Sequence, residues 1–237
     1  MVGSELVQTV IANNQWRWPE LLEIQCRVLD IHISSSPDCI YWNSVGQPFT
    51  SKGAWTSVRS YAPPVEWPAM VWHSSCIYRH AFCLWLAIMG AHRRRDKPLL
   101  LGIVDAALCP FNCGENESTE HLFFACPFTQ QIWMQILNMC NIRRQIALLS
   151  DEIQWMIDHS RGNKFPQNLR KLAFAATIYH VWMERNRRCF KNNFLILDHI
   201  IHKIQGDVAA KLWSQENPVV QAGEHYHSLG CNWGLFG

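Results

Sequence analysis

The stretch Cys109-Pro110-Phe111-Asn112-Cys113-Gly114-Glu115-Asn116-Glu117-Ser118-Thr119-Glu120-His121-Leu122-Phe123-Phe124-Ala125-Cys126-Pro127 decides how the middle of this chain folds. It sets three cysteines and a histidine at a C-x3-C-x7-H-x4-C spacing. A structural zinc ion takes four nitrogen or sulfur ligands in a tetrahedron, at about 2.3 Å for sulfur and about 2.0–2.1 Å for nitrogen. Two cysteines a few residues apart on a tight turn supply one edge, and Gly114 permits a positive φ just after Cys113. The other edge comes from a short helix, with Ser118 and Thr119 as N-cap candidates and His121 in the first turn. Residues five apart on a continuous α-helix point about 140° away from each other. His121 and Cys126 therefore diverge if one helix runs through both. Pro127 disfavours helical backbone at Cys126, so the helix is expected to end near Ala125 and Cys126 to curl back. Buried free cysteines are the plainer reading of such residues, but four zinc-type ligands around a polar loop favour metal. Four protein ligands leave no coordination position open. Cys109, Cys113, His121 and Cys126 thus read as a structural zinc site whose binding energy is folding energy.

Outward from this segment the chain reads as helices. A helix is expected from Ser51, where Ala54, Trp55 and Val58 lead up to the stop at Pro63-Pro64. Another runs from Pro68 through Trp72. A third spans Ala81 to Met89, with Phe82, Trp85, Leu86 and Met89 on one face and Gly90 closing it. After Pro127, Ile132, Trp133, Ile136, Leu137 and Cys140 form an apolar helical face. Leu172, Ala176, Tyr179 and Met183 form the next, flanked by Ala175 and Trp182. Asp198 is an N-cap candidate for a helix carrying Ile201, Ile204, Val208 and Leu212. Residues 1–50 read as loops, short helical pieces and a strand around Cys39 to Trp42, and Gly223 to Gly237 as a loosely ordered tail. The expected fold is mainly α: an irregular helical domain stapled by a Cys3His zinc loop, with a helical C-terminal extension. Its parts are an N-terminal segment (1–40), the zinc domain (41–140), the extension (141–217) and a flexible tail (218–237).

Composition narrows the function. Apolar residues make up 49% of the 237-residue chain and charged residues 17%, which is a folding composition and not a disordered one. The net charge of +2 does not announce a polyanion partner, so nucleic-acid binding has to rest on local patches. No apolar run reaches the ~20 residues of a membrane span. The N-terminus has no secretory pattern, and ten cysteines without that context point to metal ligands before disulfides. An intracellular protein, in nucleus or cytoplasm, is the expectation.

The residues also carry a family likeness. Phe49-Thr50-Ser51-Lys52-Gly53-Ala54-Trp55, Trp67 to Trp72, Arg79-His80-Ala81-Phe82 through Trp85-Leu86-Ala87, and Glu117-Ser118 through His121 to Cys126-Pro127 and Ile132-Trp133 follow one another in a specific order. Together they resemble the zinc-binding domain that follows the reverse transcriptase in plant LINE-type (non-LTR) retrotransposon polyproteins. Trp182 with Glu184 to Arg188 and Phe190 is similar to the helix that commonly follows. One departure is the extra residue between Cys109 and Cys113, where the family usually has C-x2-C. Another is the absence of any Tyr/Phe-Ala-Asp-Asp motif, which with the lack of an RNase H carboxylate set implies a non-catalytic protein. The resemblance implies a zinc module that binds single-stranded RNA or DNA. The alternative is a structural or protein-interaction module, or a transposon remnant, without nucleic-acid binding. Neither reading involves a membrane or a small-molecule substrate.

Secondary candidates are fewer. Arg93, Arg94, Arg95 and Lys97, in the run that begins at His92, are the candidate phosphate contacts. Arg185, Arg187, Arg188 and Lys191 suit a helix C-terminus, where the dipole favours cations. His199 and His202 read as a solvated face. His225, His227 and Cys231 form a minor metal candidate.

Overall fold

The structure, a computed structural model, describes residues 11–12, 15–16, 49–60, 63–93, 107–191, 193–214 and 227–235. The chain divides into two compact units, Met1–Pro63 and Pro64–Gly237. In the first unit, β1 (Ile11–Ala12) pairs antiparallel with β2 (Gln15–Trp16). Helix α1 (Ser51–Val58) follows, and Thr50 caps it by accepting a 3.0 Å hydrogen bond from the Gly53 N–H. The helix stops at Val58, short of Pro63, because Arg59 is already extended. The strand expected around Cys39 to Trp42 lies outside the described residues.

The second unit is helical. Helix α2 (Pro68–Val71) opens on a proline, which suits a first-turn position with no N–H to satisfy. Helix α3 (Tyr78–Ile88) ends as expected at Gly90, whose φ of +58° lets the Ala91 N–H reach the Leu86 carbonyl and the Gly90 N–H reach that of Ala87. Then come a single wide turn (His121–Ala125), α4 (Pro127–Met139), α5 (Leu149–His159), α6 (Phe165–Lys191), α7 (Leu197–Trp213) and α8 (His227–Asn232). Helix α6 is the axis: every residue from 171 to 178 is buried, and α3 and α7 pack along it. Phe124, Trp133 and Phe174 meet with ring centroids 5.5–5.8 Å apart and tie the wide turn, α4 and α6 into one core. Truncating any one of these rings to alanine costs about 3–5 kcal/mol.

Several elements depart from the sequence reading. Helix α5 was not anticipated, since Glu152 occupies one of its core positions and breaks the apolar period. That carboxylate is buried and satisfied, accepting from Trp133 Nε1 at 2.8 Å, from Arg144 and from the Ala147 N–H. On α6, Met183 is exposed where an apolar face was expected, and the buried face instead takes in Val181, Glu184 and Arg185. Helix α7 is entered from Ile196, with Asp198 inside its first turn. In the expected tail, α8 is ordered and Trp233 is buried, its Nε1–H on the Met139 carbonyl at 3.1 Å. Among the described residues no helix is long and apolar enough to cross a membrane.

Candidate metal centre

The two flanks of the cysteine loop run antiparallel. The Cys109 N–H donates to the Glu115 carbonyl at 2.8 Å, and the Glu117 N–H donates to that of Ala107 at 2.7 Å. Between them the chain must turn within a few residues. Asn112, at φ +58°, and Gly114, at φ +89°, provide the two left-handed positions that this needs. Asparagine is among the few side chains that enter this region readily. The extra residue of the C-x3-C pair is therefore absorbed by Asn112 in the turn.

The second edge of the site is more unusual. Ser118 caps the helical entry, its Oγ accepting from the His121 N–H at 3.1 Å. From His121 the backbone widens to a π turn, closed by the Cys126 N–H on the His121 carbonyl at 2.7 Å. An i→i+5 hydrogen bond brings residues five apart toward one side, which an α-helical turn does not. Cys126 itself is extended, at φ −72° and ψ 132°, as the following proline requires. So Pro127 ends the turn as expected, and the widened turn is what aligns His121 with Cys126.

The four side chains converge. One ligand atom from each of Cys109, Cys113, His121 and Cys126 lies within 4.8 Å of every other. Cys109 Sγ is 3.9 Å from Cys126 Sγ, far beyond a disulfide and close to the ~3.8 Å edge that zinc–sulfur bonds of about 2.3 Å imply. Cys113 Sγ lies 3.1 Å from His121 Nε2, slightly inside the corresponding sulfur–nitrogen edge of about 3.5 Å. The Cys109 thiol donates to Cys126 and so draws the Cys126 pKa down to about 5, helped by the Phe128 and Thr129 amides at the start of α4. The same shared proton, together with burial, pushes Cys109 upward. A thiolate beside a thiol at a helix N-terminus is a donor set ready for a divalent cation. The residues present fit zinc, and as a closed set of four they would hold it as a staple for the loop.

The loop is tied to the rest of the unit by contacts not foreseen from the sequence. Glu117 is buried, and both its carboxylate oxygens accept from Arg185 of α6, at 2.7 and 3.0 Å. Arg188 lies over the rings of Phe111 and Phe128, 4.9 and 4.6 Å from their centroids, and its Nε donates to Glu184 at 2.9 Å. Arg185 and Arg188 thus serve the zinc loop, where the sequence offered only the helix dipole. The three glutamates between Cys113 and His121 were the available signal, and of these it is Glu117 that pairs with Arg185.

The basic run splits. His92 is buried, 4.1 Å from the Trp182 ring and 5.7 Å from that of Phe123, with Nε2 3.1 Å from the Cys83 carbonyl. It is an anchor beside the zinc turn and no part of a solvated patch. Arg93 is exposed, while Arg94, Arg95 and Lys97 lie outside the described residues. His199 and His202 are exposed on α7. His227 and Cys231 approach to 3.5 Å on α8, and His225 is outside the described residues.

Fold and site together define a helical protein organised around a Cys3His metal-binding loop. Residues 49–133 match the family described as zinc-binding in reverse transcriptase, a span that runs from before α1 into α4 and includes all four ligands. Comparison with curated proteins and with solved structures gives no match.

Proposed function

We propose that this chain is a non-catalytic zinc-binding module, derived from the polyprotein of a plant LINE-type retrotransposon, that binds single-stranded RNA or DNA. The observation that carries the reading is the convergence of Cys109, Cys113, His121 and Cys126 inside a stretch matching the reverse-transcriptase zinc-binding family. Zinc closes the loop, and the loop positions what lies around it. His92, held between Phe123 of the zinc turn and Trp182, starts the basic run beside the metal. Arg185 and Arg188 are engaged internally, so phosphate contacts fall to Arg93, Arg94, Arg95 and Lys97. A second reading, a protein-interaction module without nucleic-acid binding, is favoured by the exposure of Phe190, Phe194 and Ile196 where α6 ends and α7 begins.

Binding of single-stranded RNA and DNA, followed against salt concentration, tests the proposal. Each phosphate contact on a single strand contributes about −0.7 to the slope of log K against log salt. Replacing Arg94, Arg95 and Lys97 together by alanine is expected to flatten that slope by about 2. Absence of binding at low salt would hand the case to the protein-interaction reading. Loss of the thiolate-bound zinc in Cys113→Ser, read by metal analysis, checks the metal independently of any ligand.

A further inference from the structure

Three more ligand-type side chains meet in the second unit, each from a different helix: His80 of α3, His180 of α6 and Asp207 of α7. A ring nitrogen from each histidine and a carboxylate oxygen all lie within 4.8 Å of one another. His80 Nε2 is 3.1 Å, and His180 Nε2 3.0 Å, from the same atom, Asp207 Oδ2. We propose that these three side chains form a second metal site, for a divalent cation of the zinc class, clamping α3, α6 and α7 together.

The spacing supports this first. Metal–nitrogen and metal–oxygen bonds of about 2.0–2.2 Å, at cis angles between octahedral and tetrahedral, put neighbouring ligand atoms about 2.9–3.4 Å apart. Both nitrogen–oxygen distances fall in that interval. Two imidazoles and a carboxylate are also a donor set that suits zinc and its neighbours in the first transition row.

The second support is that hydrogen bonding alone leaves the cluster mismatched. Arg79 Nε donates toward His80 Nε2 at 3.4 Å, which calls for a lone pair on that nitrogen. Asp207 Oδ2, 3.1 Å from the same nitrogen, calls for a proton. Either choice leaves one contact unfavourable, and Nδ1 of His80 is buried with no partner besides. A cation takes the Nε2 lone pair and the carboxylate together, and the exposed Arg79 side chain can give up its long contact to that nitrogen.

The third support is preorganisation. His80 is 1% exposed and packs against the Tyr179 ring, 4.4 Å between centroids, so its direction is set by the core. Arg79 is the competitor: its Nη2 lies 3.1 Å from each carboxylate oxygen. Its side chain is 59% exposed, so it can keep Oδ1 and yield Oδ2, orienting the ligand from outside as metal-bound carboxylates are commonly oriented. Asp207 is 27% exposed at the side chain, which opens the cluster to solvent and leaves a coordination position for water.

Cobalt titration of the full chain separates the two sites. The work is done in a Cys231→Ser background, which removes the exposed His227–Cys231 pair as a rival site. Cobalt on thiolates gives a charge-transfer band, whereas a two-imidazole, one-carboxylate site adds only weak d–d absorption. About two equivalents are expected to bind, one with each signature. Asp207→Asn and His180→Gln should each remove the second equivalent with its weak d–d increment and keep the first equivalent with its thiolate band, with helix content checked by circular dichroism. Cys113→Ser should do the converse. Saturation at one equivalent with thiolate character only, or retention of both components in Asp207→Asn, overturns the proposal. Should a variant unfold, the unsubstituted titration decides by itself, because the second component is then either present or absent.

Discussion

At the scale of single residues, Glu117 has more consequence than its place in a polar loop suggests. Its carboxylate is buried against Arg185, so removing either partner strands a charge in the core, at a cost of about 3–5 kcal/mol. Replacing both with apolar residues of similar volume removes that penalty. Glu117→Leu and Arg185→Met are therefore each expected to destabilise strongly, and the double substitution less than either alone. Urea unfolding of the three variants measures this, and additive losses would mean that the pair is not coupled. Asn112 illustrates the complementary case. Its insertion looks like a defect in the ligand spacing, yet the left-handed φ of +58° that accommodates it is one asparagine readily adopts.

At the scale of elements, the ligands were legible because metal chemistry writes itself into residue types at short spacing. The role of Pro127 was legible as well, since its effect on Cys126 is local. The π turn was not. A fifth-residue hydrogen bond leaves no compositional trace, and the angle between His121 and Cys126 shows only that an α-helix fails there. Helix α5 escaped notice for the opposite reason: a charged Glu152 faces inward, satisfied by partners from α4 and the loop that follows it. Helix α8 was hidden among glycines and histidines although Trp233 anchors it. Pro127→Ala tests the turn. With the restriction on Cys126 lifted, α4 can extend backward and carry the cysteine off the site. A loss of metal affinity of about tenfold, near 1.4 kcal/mol, is expected in chelator competition, with helix content unchanged or slightly higher. Unaltered affinity would show that the turn is held by its packing alone.

At the scale of the molecule, His73 reports whether the second unit is closed. It lies between α2 and α3, and burial lowers its pKa from 6.5 to about 4, with the positive charges of Lys171 on α6 and Lys211 on α7 adding to the shift. The unfolded chain therefore takes up this proton first as pH falls. Its contribution to stability is complete above about pH 6.5 and is lost progressively as pH drops toward 4. The urea midpoint should fall between pH 7 and pH 5, and His73→Gln should show a shallower fall; identical profiles would remove His73 from the account. The continuity of this unit also bears on the extent of the family match. The family match stops at residue 133, but the buried Glu117 inside it is neutralised by Arg185, and its aromatic cluster closes on Phe174. The stretch that matches the family is thus smaller than what folds. A fragment cut at the end of the match would keep all four candidate ligands yet lay bare one carboxylate and one aromatic face that the long helix now covers with a guanidinium and a ring.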